Sequence, residues 1–205
     1  VPPEFSLAAE YLDYLNHHVL SEARLLASRL DIFIENRYFD LSAKQFLINA
    51  QKMGFDLVIH ADQLSRSGGS SLAVELGARS ADHLLEINYE DIQNLASSQV
   101  TCVLLPTADL YMKSKYPPAR ALLDRGARVA LATDFNPGSS PSQSVNLAGV
   151  LARTQMGMSL PEVVVAFTLG GAYALGLGNE IGALVPGRKA EFIAVADWTQ
   201  MFFSV

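Results

Sequence analysis

Five short, largely apolar runs, four ending in or followed by a polar residue and one by Pro106, alternate with stretches of helical periodicity and constrain this chain more than any other feature. They are Asp31-Ile-Phe-Ile-Glu35, Phe55-Asp-Leu-Val-Ile59, Ala78-Arg-Ser-Ala81, Val100-Thr-Cys-Val-Leu-Leu105 and Val129-Ala-Leu-Ala-Thr133. Helical periodicity fills residues 43–53, 70–76, 89–97 and 116–125, with Gly54, Gly77 and Gly126 as stop signals. Such alternation predicts a parallel sheet with right-handed crossovers, either open and doubly wound or part of a barrel.

The fifth run carries the clearest chemical signal. A strand buried on both faces runs into Asp134, followed by a turn of Asn, Pro and Gly. In an α/β barrel the C-terminal strand ends form the active face, so an acid there reads as chemistry, against the alternative that it caps the loop or the next helix. His60 follows the second run and His83 the third. Taken singly, a strand-end histidine is more often a hydrogen-bonded structural residue. Three such residues lie too far apart for a local motif, yet parallel strands would set them on one rim. Imidazole and carboxylate are suitable ligands for zinc or iron, and catalytic zinc takes three protein ligands plus water. Two of the three would be ligands and one an acid/base or carbonyl-polarising group.

Other candidates carry less. Adjacent His17 and His18 point about 100° apart on a helix and cannot share a metal. Gly68-Gly69 lacks the rest of any phosphate-loop pattern and reads as a turn, and Cys102, inside a strand, as core. Residues 6–29 predict one amphipathic helix, and 145–156 another. Ser159-Leu-Pro-Glu162 is a capping box opening a helix that runs to Leu175 and stops at Gly176. Residues 181–197 read as a tight turn between two short strands.

Composition narrows the function. The chain is 50% hydrophobic and 18% charged, yet no apolar run approaches the roughly 18–20 residues of a membrane span. A net charge of −6 without a Lys/Arg run argues against nucleic acid and anionic membranes as partners. A single cysteine fits a reducing compartment, and the first residues lack the basic and apolar regions of a signal peptide. The expected location is the cytoplasm.

Several motifs together resemble the imidazolonepropionases of the amidohydrolase superfamily. They are Val1-Pro-Pro-Glu-Phe5, Ile59-His60-Ala-Asp-Gln63, Gly68-Gly69, Ser80-Ala-Asp-His83, Val103-Leu-Leu-Pro106, Tyr116-Pro-Pro-Ala-Arg120, Ala130-Leu-Ala-Thr-Asp-Phe-Asn-Pro-Gly-Ser139 and Ile181-Gly-Ala-Leu-Val-Pro-Gly-Arg-Lys-Ala190. The resemblance implies an α/β fold forming about strands 4 to 8 of a (β/α)8 barrel, over residues 1–180, with residues 181–205 part of a small β domain. It implies His60 and Asp134 as ligands of one zinc or iron ion, Asp134 also handling the water proton, and His83 beside the substrate carbonyl. Gln63 would face the imidazolone ring, as a base or as a hydrogen-bond partner, and Asn136, Gly138 and Ser139 would hold the propionate. The implied reaction is hydrolysis of the ring amide of 4-imidazolone-5-propanoate to N-formimidoyl-L-glutamate, in a homo-oligomer, most simply a dimer. Two departures stand out. The family's His-x-His pair and a further substrate histidine are absent, so the chain reads as the C-terminal portion of a longer enzyme, with weak metal affinity and low or no activity alone. The second is Thr168-Leu-Gly-Gly-Ala172, where the family more often has Asn in place of one Gly. Another cyclic amidase or deaminase, or a self-associating non-catalytic fragment, are the alternatives.

Overall fold

The computed structural model describes residues 1–202. Two helices, α1 (Ala8–His18) and α2 (Leu20–Leu26), replace the single predicted one, because Val19 leaves helical geometry at φ −121° and ψ −46°. Strands β1 (Arg29–Ile34), β2 (Asp56–Ala61), β3 (Ser80–His83), β4 (Thr101–Leu104) and β5 (Arg128–Leu131) follow, every neighbouring pair parallel and the order strictly sequential. Between them run α3 (Lys44–Lys52), α4 (Gly69–Leu76), α5 (Tyr89–Ala96), α6 (Pro106–Met112) and α7 (Ala119–Asp124).

Register explains how a short sheet sorts its residues. Ile32, Ile59, Ala81, Cys102 and Val129 form one row across all five strands, and each is buried. Phe46 and Leu47 of α3, Leu72 of α4, Ile92 and Leu95 of α5 and Leu122 of α7 join them in one core. At about 25 cal/mol per Å² the burial of this core is the main source of stability. The adjacent row, Phe33, His60, Asp82, Val103 and Ala130, must face the other way, because side chains alternate along a strand. A doubly wound sheet has helices on both faces and a reversal in strand order. This sheet has no reversal: its order is strictly sequential, with only the short α10 lying on the second face beside Val103 and Ala130, which decides in favour of a barrel-type arc.

Helix α8 (Val145–Gln155) begins at Ser144, whose hydroxyl accepts from the Leu147 N–H at 3.1 Å. The predicted capping box forms, with the Glu162 carboxylate accepting from the Ser159 N–H at 2.7 Å, and opens α9 (Leu160–Val165). A π-helical turn over Ala166–Gly170 and a last turn, α10 (Gly171–Ala174), continue it. A Cβ at Gly170 would lie 2.1 Å from the carbonyl oxygen of Val129, so the helix backbone rests directly on β5 and only glycine fits there.

The strand pair expected after Ile181 is corrected by the structure. The turn is present, with Gly187 at φ 90° and Lys189 N–H donating to Glu180 O at 2.8 Å, but no strand forms among the described residues of this segment. A strand exists only when another pairs with it, and here Phe192 and Ile193 stay exposed and unpaired. No helix among the described residues is long and apolar enough to cross a membrane.

Candidate active site

The C-terminal end of the sheet gathers the charged residues. His60, one residue before the end of β2, is held through Nδ1, which lies 2.9 Å from the Asp31 carboxylate on β1. A carboxylate there makes Nδ1 the N–H donor and leaves Nε2 as the free lone pair, the arrangement common in metal-binding histidines. Burial pulls the pKa of His60 down, but the Asp31 hydrogen bond and charge, with Asp82 and Asp134 behind them, outweigh it and the net shift is upward. The ring remains 30% exposed, enough to be reached from the rim.

His83 reaches the same place by a different route. Strict alternation puts it in the row of Ala61, on the helix side of the sheet. It instead adopts φ 77°, followed by Leu84 at φ 63°, and its ring lies 5.0 Å from that of His60. Burial and the neighbouring His60 push its pKa down to about 3, so it is a neutral imidazole at physiological pH. Its Nδ1 is buried with no protein partner. Left-handed backbone at a non-glycine residue costs about 1 kcal/mol or more and clusters at functional sites. Asp62 (φ 49°) and Asp134 (φ 53°), just past β2 and β5, share that conformation.

Asp134 is half-buried and its pKa is raised by burial, against the opposing charge of His60 and hydrogen bonds from Asn136 and Ser139. The loop behind it is organised by Asn136. That amide donates to Asp134 O at 2.6 Å and to Ser139 Oγ at 2.9 Å, and its oxygen accepts from the N–H groups of Gly138 and Ser139 at 2.9 and 2.8 Å. Expected residues Asn136, Gly138 and Ser139 thus form one unit beside Asp134. Gln63 lies in the loop two residues beyond β2, half-buried, with no hydrogen bond to His60, His83 or Asp134 among the described residues.

Three carboxyls of the site were not among the sequence candidates. Asp31 fixes His60, and counting by twos along β1 from Phe33, which faces His60 in the register, would have found it. Asp82 shares the row of His60, and burial lifts its pKa to about 6 against a Ser80 hydrogen bond and the His60 charge. Asp109, on α6, is 2% exposed, and burial together with the Asp134 charge raises it to about 7. Glu35, the acid closing the first run, is not part of the cluster. Although burial opposes ionisation, its carboxylate accepts from Ser65 Oγ and from the N–H groups of Leu64, Asn36 and Ser65, which leaves its pKa lowered. It ties the loop after β2 to β1.

As a metal site the donors fit only in part. The free Nε2 of His60 and the Asp134 carboxylate have the right chemistry, but no group of three His, Cys, Asp or Glu side chains among the described residues is arranged to hold an ion.

Comparison with known proteins bears on the site. Residues 42–204 match the model of the Amidohydrolase family. An imidazolonepropionase of Bdellovibrio bacteriovorus is 55% identical over 209 residues, covering 100% of this chain and 49% of its own length. One from Rubrobacter xylanophilus is 46% identical, covering 97% of this chain and 48% of its own. The chain spans about half the length of the curated relatives it matches. Among solved structures, an adenosine deaminase from Xanthomonas campestris with bound zinc superposes with a TM-score of 0.67 at 21% identity, over 79% of this chain and 42% of that one. Guanine deaminase of E. coli gives 0.68 at 17%, over 92% and 50%. These distant likenesses establish the shared fold.

Proposed function

Because the chain belongs to the amidohydrolase family, we propose that its rim is the C-terminal part of an imidazolonepropionase site, which hydrolyses the ring amide of 4-imidazolone-5-propanoate to N-formimidoyl-L-glutamate. The observation that carries this reading is the convergence of His60, His83 and the Asp134–Ser139 loop on one end of the sheet, in a chain 55% identical to a protein of that name.

A divalent metal, zinc being the one bound in the deaminase neighbour, would sit against His60 Nε2 and Asp134 and supply a water of lowered pKa and a polarised carbonyl. The other steps belong to the chain's own groups. Asp134, its pKa raised, takes the proton of the attacking water and passes it to the ring nitrogen as the C–N bond breaks. Neutral His83 sits beside the carbonyl oxygen and donates to it as negative charge develops. Asn136, Gly138 and Ser139 orient the propionate, and Gln63 faces the ring. Two metal donors form part of a site, so metal affinity and turnover are low until further ligands join. Exposed Leu25, Leu26, Phe192 and Ile193 support association, with a second copy or with the rest of a longer protein. We place the protein in the cytoplasm.

The test is reconstitution. The purified chain, with one equivalent of Zn²⁺, is assayed for loss of 4-imidazolone-5-propanoate alone and after mixing with the N-terminal half of the Bdellovibrio relative. Turnover that appears on mixing and disappears in Asp134→Asn supports the reading. A reconstituted protein that leaves this substrate intact while hydrolysing or deaminating another ring would overturn it.

A further inference from the structure

Arginine occupies the opposite end of the sheet, at alternate strands. Arg29 opens β1, Arg79 immediately precedes β3 and Arg128 opens β5; the first two side chains run to the turn that follows α10 and the third to Tyr173 within α10. In a chain of net charge −6 this is a local concentration of positive charge. Cations beside a helix C-terminus are favourable, and Arg29 answers to that need alone, since its guanidinium donates to the carbonyl of Leu175.

The other two arginines are not used up in the same way. Arg79 lies flat against the turn, where a Cβ on Gly176 would be 3.4 Å from its Cζ, and one amino group donates to Asp56 at 2.8 Å. Its Nε is buried without any acceptor. Arg128 stacks 4.3 Å over the Tyr173 ring, and its recorded acceptor among the described residues is Gln99 O, at a long 3.3 Å. Stacking holds a guanidinium by its face and leaves its edge free to donate. Between the two arginines lies a cleft of about 370 Å³, closed at the sides by Gln99, Asn179 and the Gly176 turn. The acid nearest in sequence to Asn179, Glu180, is already paired with Lys189 at 2.9 Å. Two guanidinium groups therefore line one polar cavity open to solvent that has no carboxylate in its lining, and of the two only Arg79 is paired with an acid, Asp56, among the described residues.

We propose that this cleft at the N-terminal ends of β3 and β5 binds a small oxyanion, such as phosphate or a carboxylate, through Arg79 and Arg128, with Asn179 at its mouth. Planar forks of this kind match oxyanion geometry and give charge-assisted hydrogen bonds of roughly twice the ordinary strength. The site is separated from the catalytic rim by the length of the strands and does not depend on the function assigned there.

Thermal unfolding and isothermal titration of the chain with inorganic phosphate, against chloride at equal ionic strength, test it. A saturable rise in Tm and a one-to-one isotherm are expected for the wild type, with affinity reduced about tenfold or more in Arg128→Gln and in Arg79→Gln. Asn179→Asp and Gln99→Glu, both at exposed positions, bring negative charge to the mouth without touching the core and should weaken binding similarly even where an arginine variant does not fold. Parallel titration with succinate decides between phosphate and carboxylate as the preferred oxyanion. The proposal fails if phosphate and succinate both act no differently from chloride, or if the four variants bind as the wild type does.

Discussion

Replacing Asp109 by Asn should make the protein more stable in alkali and leave it nearly unchanged in mild acid. The carboxyl is 2% exposed, and its Oδ2 is buried without a partner. Its pKa rises from 3.8 to about 7, through burial and the charge of Asp134. A carboxyl whose pKa is higher folded than unfolded opposes folding in full above the folded value, and the penalty fades as pH falls towards the unfolded one. At about 1.4 kcal/mol per pH unit of separation, the wild type carries roughly 4 kcal/mol of penalty at pH 8.5 and somewhat under 2 at pH 5. Asn has no charge to bury but leaves an amide unpartnered, which costs about 1–3 kcal/mol at every pH. The variant should therefore gain about 2 kcal/mol at pH 8.5, and the gap between the two proteins should change by about 2–3 kcal/mol across the range. For a chain of this size that is about 5–10 °C in relative Tm. Thermal melts at pH 5, 7 and 8.5 provide the measurement, and titrations common to both proteins largely cancel in the difference. Melting curves that stay parallel across the range would refute the reasoning, because an uncharged or hydrated Asp109 predicts no change in the gap.

Three further outcomes follow from the geometry. Asp31→Asn removes the charge that, with its hydrogen bond, holds the His60 pKa up, and leaves burial opposed by a neutral hydrogen bond and by Asp82 and Asp134, so an NMR titration should find His60 below its wild-type value; an unchanged pKa would mean that Asp82 and Asp134 suffice. Gly69→Ala places a Cβ 2.9 Å from Ala61 and should lower stability by about 1–3 kcal/mol in denaturant unfolding, whereas a wild-type midpoint would show that α4 can shift away from β2. Asn136→Ala withdraws the acceptor shared by the Gly138 and Ser139 N–H groups, and their hydrogen exchange should quicken by about tenfold while exchange in β2 stays constant. Equal acceleration in β2 would show global loss of stability instead.

The sheet was legible because buried strands and amphipathic helices differ in period, and each of the five runs contains or overlaps one of the observed strands. Helix α6 was missed although Pro106 at its first position is a start signal, since Leu105-Pro106 also reads as a strand end. His60, His83 and Asp134 were singled out through their place at strand ends, and the structure sets the two histidine rings 5.0 Å apart with the Asp134 charge acting on His60. Asp109 could not be, because its importance comes from the absence of any partner, which depends on how α6 packs and leaves no mark in the local pattern. Glu35 matched the strand-end rule and proved structural, since that rule fixes where a side chain begins and not which backbone donors close around it. The C-terminal turn was read correctly and its strands were not, because a turn is local whereas a strand needs a partner.

Strictly sequential pairing also governs how the molecule can form. Each strand finds its partner one helical crossover earlier in the chain, a single helix except for α6 and α7 before β5, so the sheet can grow by adding adjacent units. The tie between Arg29 and Leu175 is different: it spans 146 residues and joins the first strand to the C-terminal end of α10. Its loop-closure entropy is met only after the intervening units are in place, which puts it late in assembly. Arg29→Ala should therefore speed unfolding and leave the refolding rate nearly untouched.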